Sequence, residues 1–385
     1  MAAALQAELG SELERVTAAA QQPPIAAAEP RHATPGAHAV IAHRGTVLAD
    51  VHTGFAELFA DAVTLTRNPR QLGPSDIFDI ASLTKIFVAV TALRHVHTGA
   101  IDLDDTVASH LPAFSGAGRD QVRIRHLLTH TSGLPAIFDH WRRPADRAER
   151  IAVVLSQQPQ HLPGQVHTYS CVGYQLLGLL LEQRTGHGLD QLLSEHVTGP
   201  LGLSETSYEP VDVERVVPTE YQTNPPRGMV RGQVHDEAAW VLGRAGNAGL
   251  FSTTADVLSF AEAIRTAHGP ITTELAELLS TDHLEPEQRE ATGYGQTIGL
   301  RVGDASFMGL ESAGLLGHTG FTGTSMVIDP ARELSVVLLT NRVHPLRSAF
   351  SVQGLRRRVV GLAQQWVDQQ ATPGSTAPAQ RSRKA

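Results

Sequence analysis

The chain has 385 residues, enough for two ordinary domains or for one large domain with an insertion, and so for a substantial core and a recessed site. Hydrophobic residues make up 42% and charged residues 18%, which excludes a disordered or fibrous chain. The formal net charge is -8 and the arginine-rich pieces at 356–358 and 381–384 are short, so no surface tracks a phosphate backbone and no nucleic-acid partner is expected.

The opening residues 1–10 lack a basic region followed by an unbroken apolar run, and no later stretch is apolar over the width of a bilayer. The expectation is a cytoplasmic protein with no membrane partner. Leu5, Leu9, Leu13 and Val16 recur at helical spacing and predict a helix over 5–20 that packs on a sheet, with a Pro/Ala-rich surface connection over 21–36. Short β-type runs at 37–41 and 46–51 flank His43-Arg44-Gly45, the pattern of a hairpin with a glycine-containing turn. Residues 77–81 lead into Ser82, and Leu83, Ile86, Phe87, Val90 and Leu93 make one helical face, which sets Ser82 at a helix N-terminus. Helical stretches near 124–128, 147–155 and 172–184 follow, in a region that reads as mostly helix and loop.

Strand-like runs return at 299–302, 314–319, 323–328 and 334–339, then an amphipathic helix over 348–367, then a tail from 370 to 385 with no periodic apolar residues, expected to be disordered. The fold class expected is α/β of the α+β kind. An antiparallel sheet flanked by the N- and C-terminal helices (1–81 and 246–369) carries a mostly helical insertion (82–245), with the site between them.

Ser82-Leu83-Thr84-Lys85 sets a hydroxyl and an amine three residues apart, on one side of a helix start. A serine is too weakly acidic to attack at neutral pH, and a lysine takes its proton only if burial and neighbouring positive charge depress its pKa. On its own the string is short and reads as a capping serine beside a solvated lysine. Two further elements change that. His167-Thr168-Tyr169-Ser170-Cys171 opens a helix in the inserted region, and Gly317-His318-Thr319-Gly320-Phe321 lies among the late strands.

With these motifs, together with Arg125-His126-Leu127-Leu128-Thr129-His130-Thr131-Ser132-Gly133-Leu134 and Asn247-Ala248-Gly249-Leu250-Phe251-Ser252-Thr253, the chain resembles the class C β-lactamase family from about Ala37 to about Val367. That family also includes D-Ala-D-Ala carboxypeptidases, β-lactamase-like esterases, D-amino-acid amidases and peptide cyclases. The resemblance implies Ser82 as nucleophile, Lys85 and Tyr169 as the proton-handling pair, and His318 where relatives carry the lysine of Lys-Thr-Gly. It implies an oxyanion hole from the backbone N–H groups of Ser82 and Phe321, and substrate contacts from Cys171, Thr319 and Gly320.

Two positions depart from the family pattern. Cys171 replaces the asparagine of Tyr-x-Asn, which removes an amide that binds the acyl side of a β-lactam or peptide. His318 is mostly neutral at pH 7 and supplies less charge for a substrate carboxylate than lysine. Both point away from efficient β-lactam hydrolysis, towards an esterase or amidase acting through an acyl-enzyme on Ser82, with a small-molecule or peptide substrate. The alternatives are an acyltransferase or peptide cyclase, a weak β-lactamase or D-Ala-D-Ala carboxypeptidase, and a catalytically dead binding protein.

Cys171 forms no internal disulfide, and a lone thiol is more often a small buried hydrophobe than a reactive group. His126 and His130 are four apart but lack the glutamate of H-E-x-x-H and a third ligand, so no metal and no cofactor are expected. His95 and His97 read as surface positions. Substrate recognition is expected from the segments 135–150 and 208–235.

Overall fold

A computed structural model describes residues 2–22, 30–142 and 145–371. Its centre is an eight-stranded, wholly antiparallel sheet. In chain order the strands are β1 (Gly36–His43), β2 (Thr46–Phe59), β3 (Leu65–Gln71), β4 (Phe78–Asp79), β5 (Tyr221–Thr223), β6 (Pro226–Met229), β7 (Phe251–Ser252), β8 (Gly295–Gln296), β9 (Arg301–Val302), β10 (Leu316–Thr319), β11 (Ser325–Asp329) and β12 (Leu334–Thr340). The large sheet runs β3-β2-β1-β12-β11-β10-β9-β8, so the first hairpin joins the last meander through the β1–β12 pair. Strands β4 and β7 form a separate two-stranded ladder, as do β5 and β6.

The β1–β2 turn is made by Arg44 and Gly45, both at positive φ (52° and 78°), the twist that a tight hairpin needs. Along β1 the side chains alternate between two cores, as the two-residue period of a strand demands. Ala37, Ala39 and Ile41 face one core with Leu5, Leu9 and Leu13 of the N-terminal helix (Ala2–Ala18) and with Leu355 and Val359 of the C-terminal helix (Gln353–Ala371). Val40 and Ala42 face the other, with Ile86, Phe87 and Leu93 of the helix Thr84–His97 and Phe260 of the helix Thr254–Thr266. Leu9 and Leu13 are fully buried, and truncating either to alanine costs about 2–5 kcal/mol.

Between β3 and β8 the chain leaves the large sheet, and the described residues there are mostly helix and loop. The helices Ile124–Leu128, Arg147–Leu155 and Cys171–Thr185 stand where periodicity indicated. The C-terminal helix begins five residues later than expected, because Phe350 bridges to Arg31 and the Ser351 N–H bonds the Arg31 carbonyl, which holds that stretch extended. Gln370 and Ala371 close this helix, and the rest of the expected tail lies outside the described residues. His97 is exposed, but His95 is buried against His196 (ring centroids 4.7 Å apart), since the next helical layer covers that face. Among the described residues no helix is long and apolar enough to cross a membrane.

Candidate active site

Ser82 lies in a 3-10 turn (Ala81–Leu83) that β4 delivers into the helix Thr84–His97. The step into it is strained: Ala81 has φ 47°, a left-handed conformation uncommon for a residue with a Cβ. Asp79, fully enclosed, accepts the Ala81 N–H (2.8 Å) on one carboxylate oxygen and the His235 N–H (2.6 Å) on the other. Burial pushes the Asp79 carboxyl upward, and those two N–H donors only partly offset it.

One turn on, Lys85 is buried and its ammonium donates to three acceptors: Ser82 Oγ (3.1 Å), the Asn247 carbonyl (2.8 Å) and Cys171 Sγ (3.6 Å). Burial alone lowers the Lys85 pKa, but attraction to Cys171 and Tyr169 outweighs it and the net direction is upward. The depressed lysine expected from the motif is therefore not what the surroundings favour, because its contacts are acceptors and not cations. Cys171 is half-buried, and burial pushes its thiol pKa up against the opposing pull of Lys85. Its Sγ meets Lys85 and the Asn247 side chain.

Tyr169 precedes the helix Cys171–Thr185, whose N-cap Ser170 accepts the Gly173 N–H (3.0 Å). The Lys85 amine lies 5.0 Å from the Tyr169 ring centre. His130, fully buried, packs against the same ring (centroids 4.5 Å apart, planes tilted by 43°) and through Nδ1 accepts the Ser170 N–H (3.0 Å). Burial, then the neighbouring His167 and Lys85, hold His130 well below the ordinary histidine range, so it is the neutral acceptor this bond requires. The local string around His130 reads as a loop after a helix; its place at Tyr169 depends on a contact 39 residues along the chain. The Arg301 guanidinium lies between Tyr169 (5.3 Å) and Tyr294 (4.8 Å) and pairs with Asp304 (2.8 Å).

His318 ends up buried on β10, its ring 5.7 Å from Tyr169 and its Nδ1 2.9 Å from the Thr319 carbonyl. Burial and then the charges of Arg301 and Lys85 push it well below its ordinary value, so it is neutral. Gly320 has no alternative, since a Cβ there lies 2.0 Å from Thr324 Oγ1 and 2.6 Å from the Ile80 carbonyl. Phe321 follows with its side chain half exposed, and among the described residues its N–H has no protein acceptor.

Ser82, Tyr169, Thr319, Gly320 and Phe321 line one cavity of about 390 Å³, together with Arg301, Arg342 and Arg356. Lys85 and His318 stand behind it. A larger hollow of about 770 Å³ between the terminal helices holds no serine–lysine pair, so the candidate site is the smaller one. Recognition was expected from 135–150 and 208–235, but the cavity lining comes from strand β9, from the turn after β10 and from the segment after β12. Arg356 is 7% exposed and donates to the Gly320 (3.0 Å) and Thr324 (2.9 Å) carbonyls and to Gln353, to no carboxylate among the described residues. Burial and the nearby Arg342 and Arg301 push it down to about 9.

One cluster among the described residues has metal-ligand types within reach of one another: His38, Asp50 and His52, across the β1–β2 pair and apart from Ser82. His38 Nε2 already bonds Asp50 (2.7 Å). The Nδ1 atoms of His126 and His130 accept separate backbone N–H groups, of Arg123 (3.1 Å) and Ser170 (3.0 Å).

The family model described as Beta-lactamase matches residues 13–360. A protein of Escherichia coli (strain K12) named "Putative D-alanyl-D-alanine carboxypeptidase" is 30% identical over 319 residues, 74% of this chain and 73% of that protein. A protein of Salmonella typhi with the same name is 30% identical over 326 residues, 76% and 75% of the two chains. Among solved structures, EstCE1, a hydrolase with promiscuous acyltransferase activity, superposes with a TM-score of 0.72 at 23% identity over 93% of this chain and 98% of its own. A class C beta lactamase gives 0.72 at 16% identity over 94% and 98%. These structures share the fold, and the family match runs from within the N-terminal helix to within the C-terminal one: the chain belongs to the beta-lactamase family.

Proposed function

We propose that the protein is a serine hydrolase that forms an acyl-enzyme on Ser82 from an ester or amide. The observation that carries this reading is Lys85 Nζ at 3.1 Å from Ser82 Oγ, on the wall of a cavity that Tyr169 and Phe321 also line. In the reactive state Lys85 and Tyr169 hold one proton fewer than ammonium plus phenol, and the pair takes the proton of Ser82 Oγ as that oxygen attacks the carbonyl carbon. Negative charge then develops on the carbonyl oxygen, where the N–H groups of Ser82 and Phe321 are the donors, each contributing about 3 kcal/mol or more if preorganised. The pair returns the proton to the leaving oxygen or nitrogen. Water repeats the sequence on the Ser82 ester and restores the free hydroxyl.

A second reading, a carboxypeptidase, is favoured by the arginines of the cavity. A buried cation with no carboxylate partner is costly to hold, and a substrate carboxylate meets that need. Arg356 is such a cation, with Arg301 and Arg342 beside it. The carboxylate recognition that His318 fails to supply is thus available from other elements, in line with the names of the curated relatives. The test is hydrolysis of p-nitrophenyl butyrate, nitrocefin, and an acyl-D-Ala-D-Ala peptide with a free or an amidated C-terminus, by wild type and Ser82→Ala. Turnover that disappears in Ser82→Ala supports the acyl-enzyme. Cleavage of the free-acid peptide far above its amide selects the carboxypeptidase, and ester hydrolysis without peptide cleavage selects the esterase. Ester hydrolysis that survives in Ser82→Ala overturns both.

A further inference from the structure

The two candidate oxyanion donors come from segments far apart in the chain. Ser82 follows β4 in the first part of the sequence, and Phe321 lies in the turn joining β10 to β11. Nothing within either segment sets the separation of their N–H groups, and a misplacement of about 1 Å at such a site costs on the order of a hundredfold in rate.

The hydrogen bonds that cross between the segments meet just before Ser82. The Thr322 hydroxyl donates to the Asp79 carbonyl (2.7 Å), and the Thr324 hydroxyl donates to the Ile80 carbonyl (3.1 Å). Both hydroxyls are buried, so neither has water as an alternative partner. Within the turn, Gly320 N–H bonds the Thr324 carbonyl (2.8 Å), and the Arg342 guanidinium bonds the Phe321 carbonyl (2.9 Å). The Asp79 side chain then extends the bracing: one oxygen holds the strained Ala81 step, and the other holds the N–H of His235. The His235 imidazole stacks on the Phe321 ring, centroids 5.6 Å apart and planes 25° apart, while its Nε2 bonds Glu220 (3.0 Å), itself anchored by Arg347 (2.7 Å). The contacts form a closed circuit: Asp79, His235, Phe321, Thr322 and back to Asp79.

We infer that Asp79 and Thr322 are positioning residues, which fix the Ser82 and Phe321 N–H groups relative to each other through this circuit. The inference rests on the acyl-enzyme reading of Ser82. Neither residue reaches the reacting atoms, and their effect is on the placement of the donors. A circuit of this kind separates strength of binding from speed of acylation, because the donors tighten on the oxyanion and not on the ground-state carbonyl.

The test uses the full chain with Thr322→Val, which keeps the shape and removes the hydroxyl, Thr322→Ser, which restores it, and Asp79→Asn, which keeps the volume and removes one acceptor. The readouts are the second-order rate of fluorophosphonate labelling at Ser82 and the kcat and KM for p-nitrophenyl butyrate, with circular dichroism to establish folding. The expected result for Thr322→Val is a labelling rate and kcat about tenfold lower with KM within about twofold, and recovery of most of that loss in Thr322→Ser. If Thr322→Val does not fold, Asp79→Asn carries the same expectation. A folded Thr322→Val or Asp79→Asn labelled as fast as a wild type that is itself labelled at Ser82 overturns the inference and leaves the acyl-enzyme reading intact. A wild type that is not labelled at Ser82 removes both.

Discussion

The two sides of the cavity handle positive charge in opposite ways. Behind Ser82, the Lys85 ammonium is met by a hydroxyl, a thiol and a carbonyl, so its three donors are all used within the protein. Across the cavity, Arg356 is also buried, but its bonds go to backbone carbonyls and an amide, with two further arginines beside it and no carboxylate among its described partners. A charge saturated by fixed acceptors is suited to holding and returning a proton. A charge left without a counter-ion favours an anion brought by the substrate. On this comparison the proposed reading places Lys85 in the chemistry and Arg356 in recognition.

Substitution separates the two sides. The largest effect is expected for Ser82→Ala, which removes the attacking oxygen and lowers kcat for every substrate by about 10⁴-fold or more, read by steady-state hydrolysis of p-nitrophenyl butyrate. Tyr169→Phe keeps the ring that His130 and Arg301 pack against and removes only the phenol oxygen; kcat falls by about 10²–10³-fold at little-changed KM. Loss in KM alone for Tyr169→Phe contradicts its place on the proton-handling side. Arg356→Gln is expected to raise KM for a carboxylate-bearing substrate by about tenfold and to leave the neutral ester within about twofold. Equal losses on both substrates move Arg356 from recognition to structure.

The smallest effect is on stability against pH. Burial holds His130 and His318 well below the ordinary histidine value, and lowers His167 and His344 to about 4. Between about 4 and 6.5 the unfolded chain therefore binds more protons than the folded one, and stability rises with pH across that window. The urea midpoint is expected to fall on acidification from pH 6.5 towards 4 and to be flat with respect to these groups above about pH 7. A midpoint that rises on acidification contradicts the neutral, buried assignment of His130 on which the Tyr169 setting depends.

Much of the reactive side was legible in the sequence because its members sit in short local strings. Ser82 and Lys85 are one helical turn apart, and Tyr169 is next to its helix cap. His318, Gly320 and Phe321 occupy one strand end and its turn. The recognition side was not, because Arg301 comes from β9, Arg342 from the segment after β12 and Arg356 from the C-terminal helix, and each alone reads as an ordinary surface arginine. Cys171 shows the same limit: the string identified a missing amide, but only the packing brings the Asn247 carbonyl and side chain to the Lys85–Cys171 contact.

By itself the sequence determined the alternation that gives β1 its two buried faces, the helices that cover them, and the order of motifs along the chain, since periodicity and turn chemistry act over a few residues. The tertiary structure alone decided the direction of the Lys85 pKa, the neutrality and placement of His130, the clustering of three arginines at the cavity and the bracing of Ser82 to Phe321 through Asp79 and Thr322. Each of these depends on distances and desolvation between groups far apart in the chain, which only the closed sheet and its inserted helices bring together.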